Sequence, residues 1–519
     1  MPAMTSAEEL LALPFANLAD LVRAHARERP DHPAVVAGGE VLGYAALDAL
    51  ADRIAAALQR DGTGRGDAVA VCATSSLPYA ALWVGVLRAG AVVAPLAPGS
   101  TAEALRVMLA DCGARLLFLD AGVAAVLAPV ADRLAARRIA LDGSDAGEPF
   151  ADWLAPEGAA PRPVEVGPDD AFNIIYSSGT TGAPKGIVQP HSYRWGQFRR
   201  SLYTADAVTV VSTPLYSNTT LVSFLPTLAA GGTAVLMGRF DAGEFLRLSE
   251  RHRATHAMLV PVQYRRLMDH PEFDRFDLAS YRLKTCTSAP FAAGLKAEVL
   301  RRWPGGLVEY YGMTEGGGSC GLEAHVHPDK LHTVGRPLPG HDMRVIDEEG
   351  RELPAGAVGE VVGRSPGMMT GYHNQPAKTA EAEWWSPAGE RFIRTGDVGR
   401  FDADGFLQLM DRKKDMIISG GFNVYPKEIE SEIDAMPGVV ESAVIGVPHA
   451  DFGEGVTAVV VRHPGADVNE ASVLKGLDGR LAKFKMPKRV FVVDELPRNT
   501  MGKVQKNLLR EAHAGLYRD

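Results

Sequence analysis

The sequence predicts an α/β protein with a large N-terminal part of parallel βα sheets, a small β-rich stretch after it, and a compact α+β unit at the end. Three observations carry that reading. Helical and strand patterns alternate from Phe15 to about Leu119 and again after residue 186, which implies parallel sheets covered by helices. After about Val334 the text changes to short strands and turns, as in MRVIDEEGREL and RFDADGFLQLM. From Arg412 onward the rest of the chain makes one unit of domain size. A length of 519 residues accommodates about three such units.

Each element follows from local pattern. LGYAALDALADRIAAALQRDG (42–62) places apolar residues at helical spacing and stops at Gly62. DAVAVCATSS reads as the next strand. ALWVGVLRAGAVVAPLAPG is the longest apolar stretch, but Arg88 and Pro95 interrupt it. A membrane span needs about 20 mostly apolar residues, so the stretch predicts a buried helix running into a strand. Residues 143–168 are rich in Gly, Pro, Ala and Asp and predict a surface connection. AFNIIY (Ala171–Tyr176) is apolar and β-branched like a buried strand, and TVVSTPL, TAVLMGRF, HAMLVPV and LVEYYG continue the series. In RFDADGFLQLM, Asp404-Gly405 between apolar runs predicts a hairpin.

Composition narrows the function. A net charge of −9 argues against a nucleic-acid binder, whose footprint is basic, so anionic ligands must be held by local positive sites. Cys72, Cys112, Cys286 and Cys320 are scattered, with no C-x-x-C pair. That suits a reducing cytoplasm and offers neither a zinc site nor a disulfide framework. The N-terminus, MPAMTSAEELLAL, lacks the basic-then-apolar order of a signal peptide. The expectation is a cytoplasmic protein with no membrane span.

The chemistry concentrates in YSSGTTGAPKG (Tyr176–Gly186). Gly179, Gly182, Pro184 and Gly186 break both helix and strand. The backbone can instead bend around an anion, offering N–H groups, the hydroxyls of Ser178, Thr180 and Thr181, and Lys185. A strand followed by a Gly-rich turn is the setting in which phosphates are cradled; an exposed flexible loop is the plain alternative. The P-loop pattern fails, because Lys185 follows Pro184 and is followed by Gly186.

The stretch closely resembles the signature loop of the adenylate-forming superfamily, which includes acyl-CoA synthetases, nonribosomal adenylation domains and firefly-type luciferases. The resemblance implies that Ser178, Gly179, Thr180, Thr181 and Lys185 bind nucleotide, with Thr181 also in the catalytic set. An ordered series of further segments resembles the same family. YYGMTEGGGS (Tyr310–Ser319) matches its Y-G-x-T-E pattern. This implies that Tyr311 stacks on adenine with Gly312 and Met313 beside it, Thr314 binds phosphate, and Glu315 ligates Mg²⁺, a cation that prefers oxygen. TSAP (Thr287–Pro290) stands where the family lines the adenine and acyl pocket, which assigns Ser288, Ala289 and Pro290 there; the usual glycine pair is replaced by Thr287 and Ser288. RTGDVGRF resembles the ribose segment, with Asp397 able to accept two hydrogen bonds from a cis-diol. In DRKKDMIISGGFNVYPKEIE, Asp411 resembles the interdomain hinge and Arg412 a second ribose contact. Gly420 and Gly421 resemble the pantetheine tunnel, and Lys413 and Lys414 read as solvated charges. PRNTMGKVQK (Pro497–Lys506) would make Lys503 the mobile lysine that bridges the substrate carboxylate and the α-phosphate.

The family's domain plan then implies residues 1–410 as the adenylation domain, with a β-barrel-like subdomain over about 334–410, and 411–519 as a mobile C-terminal domain. The implied activity is an AMP-forming acid–CoA ligase: a carboxylate and ATP give acyl-AMP and pyrophosphate, and CoA then gives acyl-CoA and AMP. ATP/AMP, Mg²⁺ and coenzyme A are the implied cofactors, a small carboxylic acid and CoA the partners, and a homodimer the assembly. A stand-alone adenylation enzyme loading a carrier protein and a non-catalytic nucleotide binder are the competing classes. The absence of a carrier segment before Asp519 weighs against the first of these, and Lys503 with Glu315 against the second. PLYSNTTLVSF (Pro214–Phe224) sits where the family places its acyl pocket. Tyr216, Ser217 and Asn218, with Gly312 and Gly317, are the candidate lining. The polar groups favour a short, hydroxylated or branched acid such as 2-hydroxyisobutyrate. Gly316–Gly318 remove side chains where a longer acid could fit, which keeps an aryl or medium-chain acid as the alternative.

Overall fold

The expected first helix spans Tyr44–Arg60 and buries one stripe, Tyr44, Leu47, Ala51, Ile54 and Leu58. Against it lies the helix Leu77–Arg88, buried from Tyr79 to Leu87. Their close approach needs Gly85, where a Cβ would come within 2.5 Å of Ile54 Cγ2. This computed structural model describes residues 5–177, 184–200, 202–499 and 502–517. The chain divides into two compact units: Met1–Leu331, Leu338–Asp342 and Arg364–Ile393 in the first, and His332–Pro337, Met343–Gly363 and Arg394–Asp519 in the second.

The first unit contains two sheets, as the alternation of helical and strand patterns predicts. In one, the strands Gly306–Gly312, Leu283–Cys286, His256–Leu259, Val208–Val211, Thr233–Leu236 and Pro33–Ala37 lie in that order and run parallel. Antiparallel strands Ser319–Glu323 and Glu40–Gly43 flank them. The other has eight strands, with the pairs among Val92–Pro95, Ala68–Cys72, Leu116–Leu119 and Arg137–Ala140 all parallel. At its far side Ala171–Ser177, Lys185–Pro190 and Gly371–Tyr372 pair antiparallel. The stretch 81–99 is indeed helix then strand, with every residue of Val92–Pro95 buried. Among the described residues no helix is long and apolar enough to cross a membrane. All four cysteines are free and buried.

Two stretches depart from the sequence reading. Residues 143–168 are more than a surface connection, since Glu148–Pro149 joins the sheet edge and Phe150–Trp153 is helical. Trp153 is fully buried, edge-on to Phe118 at 4.9 Å, and its indole N–H donates to Asp61 at 2.8 Å. One aromatic ring of that size, with its polar end satisfied, is enough to anchor a Gly/Pro-rich segment. AFNIIY is the expected strand, yet Asn173 within it is fully buried. Its amide donates to Gln189, its partner on the next strand, at 3.0 Å.

The predicted hairpin joins Arg391–Phe401, most of which belongs to the second unit, to Leu407–Arg412, with Gly405 at φ 78° supplying the left-handed turn residue. Residues from 417 onward build a five-stranded sheet in the order Phe422–Val424, Ile417–Ser419, Gly453–Arg462, Val439–His449, with Arg489–Val493 added parallel to Gly453–Arg462. The helix Pro426–Asp434 buries Ile429 and Ile433 in a core with Val444, Val456, Ala458 and Val460 of that sheet.

Candidate active site

Three of the predicted segments leave the same sheet edge, because the strands that deliver them are parallel. Ser212–Ser217 follows Val208–Val211, Thr287–Pro290 follows Leu283–Cys286, and Met313–Gly318 follows Gly306–Gly312. Ligands of open α/β sheets bind beyond these carboxyl ends. The Thr219 hydroxyl meets that of Ser288, which ties the first segment to the second. Ser288 has φ +82°, in the left-handed region that glycine occupies freely. The family glycine missing from the sequence there is therefore replaced by a strained serine held by Thr219. Ala289 is half-buried and Pro290 exposed.

The ends of YSSGTTGAPKG are strand after all: Tyr176 pairs with Gly186 and Ser177 with Lys185. Gly186 tolerates no side chain in that ladder, since a Cβ would stand 2.9 Å from Ile174 Cγ2 and 3.1 Å from the Tyr176 ring. Ser178, Gly179, Thr180 and Thr181 lie outside the described residues.

Lys185 and Glu315, predicted in separate segments, converge on one tyrosine. The Lys185 ammonium stands 5.0 Å from the centroid of the Tyr372 ring, and the Tyr372 hydroxyl donates to Glu315 Oε1 at 2.9 Å. Burial, and then the charge of Glu315, hold the Tyr372 phenol protonated well above its ordinary range. Tyr372 reaches this position because Gly371–Tyr372 pairs with Ile187 and Val188, just beyond Lys185. Glu315 is half-exposed, and among the described residues its carboxylate has no hydrogen bond besides that from Tyr372. No group of three or more His, Cys, Asp or Glu is placed to bind a metal among those residues. A single oriented carboxylate fits Mg²⁺, which keeps waters and takes substrate phosphate oxygens. Tyr372→Phe should lower kcat/KM for ATP about tenfold, the weight of one hydrogen bond to a charged group, with thermal midpoint nearly unchanged. Steady-state kinetics at varied ATP checks it.

Tyr311 is half-buried on the strand Gly306–Gly312, and Met313 and Thr314 beyond it are half-buried too. Gly312 is packed against Ser319 Oγ, 2.7 Å from where its Cβ would be. Gly317 is buried. Gly316 has φ +74°, and a Cβ there would fall 2.1 Å from the Gly367 carbonyl oxygen and 2.6 Å from Tyr193 Cε2. At Gly316 itself, one of the three glycines expected to leave room for a longer acid, the space beside the backbone is taken by the Gly367 carbonyl and Tyr193.

Of the polar side chains in PLYSNTTLVSF, Thr220 is spent internally, on Thr213 at 2.7 Å and the Pro214 carbonyl at 2.6 Å. Ser217 is nearly buried and Tyr216 half-buried at the start of the helix Asn218–Ala229. Asn218 Oδ1 accepts from the Arg194 guanidinium at 2.8 Å. Sequence reasoning missed this arginine. It is fully buried and also donates to Gln189 Oε1 at 2.6 Å, Asn173 Oδ1 at 3.1 Å and Gln197 Oε1 at 3.1 Å. Gln189 in turn donates to the Thr314 carbonyl at 2.6 Å.

In the second unit, Asp397 and Arg412 are cross-strand partners, with Arg412 Nε 3.3 Å from Asp397 Oδ1. Two groups expected on one ribose are therefore neighbours. Lys413 is not merely solvated, because it pairs with Glu360 at 3.1 Å. Asp411 lies in the strand Leu407–Arg412, and its Oδ2 accepts from the Lys427 N–H at 2.9 Å, at the start of the helix Pro426–Asp434. Burial raises the Asp411 pKa, opposed by the charge of Lys506. Gly420 and Gly421 are exposed at φ 60° and 81°. A Cβ on Gly421 would meet nothing within 4 Å. Lys503 is exposed and its backbone is tied to Asn499, whose N–H donates to the Lys503 carbonyl at 2.9 Å and whose Oδ1 accepts from the Lys503 N–H at 3.0 Å.

Comparison with known proteins identifies the family. Residues 22–373 match the AMP-binding enzyme family and residues 428–503 the AMP-binding enzyme C-terminal domain. The chain is 34% identical to an indoleacetate–CoA ligase of Aromatoleum aromaticum, over 95% of this chain and 98% of that protein. It is 34% identical to a fatty acid–[acyl-carrier-protein] ligase of Streptomyces coeruleorubidus, over 95% of each. The crystal structure of ATP-bound MatB from Rhodopseudomonas palustris superposes with TM-score 0.86 at 39% identity, covering 97% of this chain and 100% of that one. The chain belongs to the adenylate-forming superfamily, in its acyl-CoA synthetase branch.

Proposed function

We propose that the acid activated by this AMP-forming acid–CoA ligase carries a polar substituent, of the short hydroxylated or branched kind exemplified by 2-hydroxyisobutyrate. The reaction class follows from chemistry. Oxide cannot leave a carboxylate, so transfer of AMP from ATP supplies a leaving group that a thiol can then displace. The observation that carries the reading is the meeting of Lys185 and Glu315 on Tyr372, which brings together a cation and an oriented carboxylate, the pair that binding a metal–triphosphate calls for. Lys185 neutralises phosphate charge, and Tyr372 holds Glu315 in place. Mg²⁺, when bound through Glu315, supplies charge compensation to the departing pyrophosphate. Tyr311 stacks on adenine, Asp397 and Arg412 bind the ribose hydroxyls, and Lys503 approaches the α-phosphate. Gly420 and Gly421 leave a path for pantetheine. Four free, buried thiols support a cytoplasmic setting.

The polar acid is supported by Ser217 and Asn218 at the helix start, and by Tyr193 filling the space beside Gly316. Resemblance to an indoleacetate–CoA ligase along nearly its whole length keeps an aryl acid as the second reading. Pyrophosphate release, measured over a panel of short hydroxy, short alkyl, aryl and medium-chain acids, tests both. Fastest turnover on an unsubstituted alkyl acid would contradict the polar-acid reading.

We assign Asp411 to the change of orientation between adenylation and thioester formation, because Lys503 and Gly421 serve different steps from one chain segment. Proline at this position fixes φ and removes the N–H. Asp411→Pro should depress one half-reaction far more than the other, as read by separate assays of acyl-AMP formation and of thioester formation from supplied acyl-AMP. Equal rates to wild type in both would remove Asp411 from the hinge.

A further inference from the structure

Arg194, next to the acid-pocket candidate Asn218, plays no part in the reaction. Its side chain is fully buried, and no carboxylate among the described residues pairs with it. Its hydrogen bonds among those residues all go to neutral amide oxygens, on Asn173, Gln189, Gln197 and Asn218, and Nε makes none. A buried guanidinium without a counter-ion is costly to keep, so a role beyond packing is called for. Burial pushes its pKa down to about 10, which leaves it charged at neutral pH.

The geometry assigns that role. Arg194 at 2.8 Å and Gln189 at 3.4 Å both donate toward Asn218 Oδ1. With the oxygen so committed, the half-exposed Asn218 amide has only its NH₂ left to offer: one N–H faces the Tyr193 hydroxyl, and the second remains to donate to a bound acid. Gln189 also holds the Thr314 carbonyl, so the same network fixes the segment that carries Glu315. We propose that Arg194 is a specificity-determining positioning residue: by locking the Asn218 amide with its NH₂ toward the substrate, it makes the pocket a hydrogen-bond donor and selects acids whose substituent accepts a hydrogen bond over their methyl isosteres. This rests on the acid-pocket reading of Asn218 given above. A donor that the bound acid closes off from water and leaves unpaired penalises the isostere strongly.

The test compares kcat/KM for pyrophosphate release on two isosteric pairs: 2-hydroxyisobutyrate against 2,2-dimethylpropanoate, and 4-hydroxyphenylacetate against 4-methylphenylacetate. Wild type should favour the hydroxyl member of at least one pair by on the order of 100-fold. Arg194→Met and Asn218→Leu should each bring that ratio below about threefold, and Arg194→Lys, which keeps a charged donor but loses the planar fork, should give a ratio between Arg194→Met and wild type. A merely structural role would lower both members together and leave the ratio standing, and that outcome overturns the proposal. So does a wild-type ratio near one in both pairs. If Arg194→Met does not fold, by thermal midpoint, Asn218→Leu and Arg194→Lys decide. Pyrophosphate release from no acid at all would overturn the ligase reading and this inference with it; release without discrimination overturns this inference alone.

Discussion

Lys503→Ala lowers acyl-adenylate formation by roughly 100- to 1000-fold and leaves thioester formation from supplied acyl-adenylate largely intact. The asymmetry follows from where charge develops. In adenylation, negative charge gathers on the α-phosphate as the carboxylate attacks, and a lysine that bridges the two lowers that barrier. In the second step the thiol attacks the acyl carbon and AMP departs as a ready leaving group. Lys503 is exposed, and its backbone is tied to Asn499; an unchanged thermal midpoint in the variant shows that the rate reports chemistry. Rapid-quench assays of each half-reaction check it. An equal fall in both would show that Lys503 serves something other than the adenylation barrier.

Gly421→Leu does the reverse: acyl-AMP accumulates while CoA turnover falls by about 100-fold or more. A leucine side chain at this position starts in open space, because a Cβ there has nothing within 4 Å. Any block must then come from the arm of the incoming thiol substrate. The left-handed φ of 81° strains every non-glycine residue by about 1–2 kcal/mol, which a control must separate from bulk. Gly421→Ala carries the same strain without the reach and should keep CoA turnover within about tenfold of wild type. Equal loss in both variants would assign the effect to backbone strain and remove Gly421 from the pantetheine path.

What could be read from the sequence was what repeats locally. The helix over 44–60, the strand after it, and the Asp404-Gly405 hairpin all follow from periodicity and turn chemistry within a short window. The candidate segments stood out in the sequence because each resembles a family motif short enough to read in one window: hydroxyls and lysine in 176–186, aromatic and carboxylate in 310–319, aspartate in RTGDVGRF. Asp397 and Arg412 were found separately and prove to be neighbours across one hairpin. Tyr372 was not legible. It bonds Glu315 from 57 positions away, and nothing around GYHNQ signals that reach. The network of Asn173, Gln189, Arg194 and Asn218 was hidden for a similar reason. Each residue looks ordinary in its own strand or helix, and only sheet register and burial turn them into one unit. Ser288 shows a subtler limit, since a serine in place of glycine signals strain only once its φ is known.

The central claim is that one active site joins an acid to CoA through an acyl-AMP. It is tested most directly by product stoichiometry, with acid, ATP and CoA supplied and no carrier protein present. Chromatography with mass detection should find AMP, pyrophosphate and acyl-CoA in equal amounts, with the thioester absent when CoA is withheld. ADP and phosphate as products, or acyl-AMP that no amount of CoA converts, would contradict it.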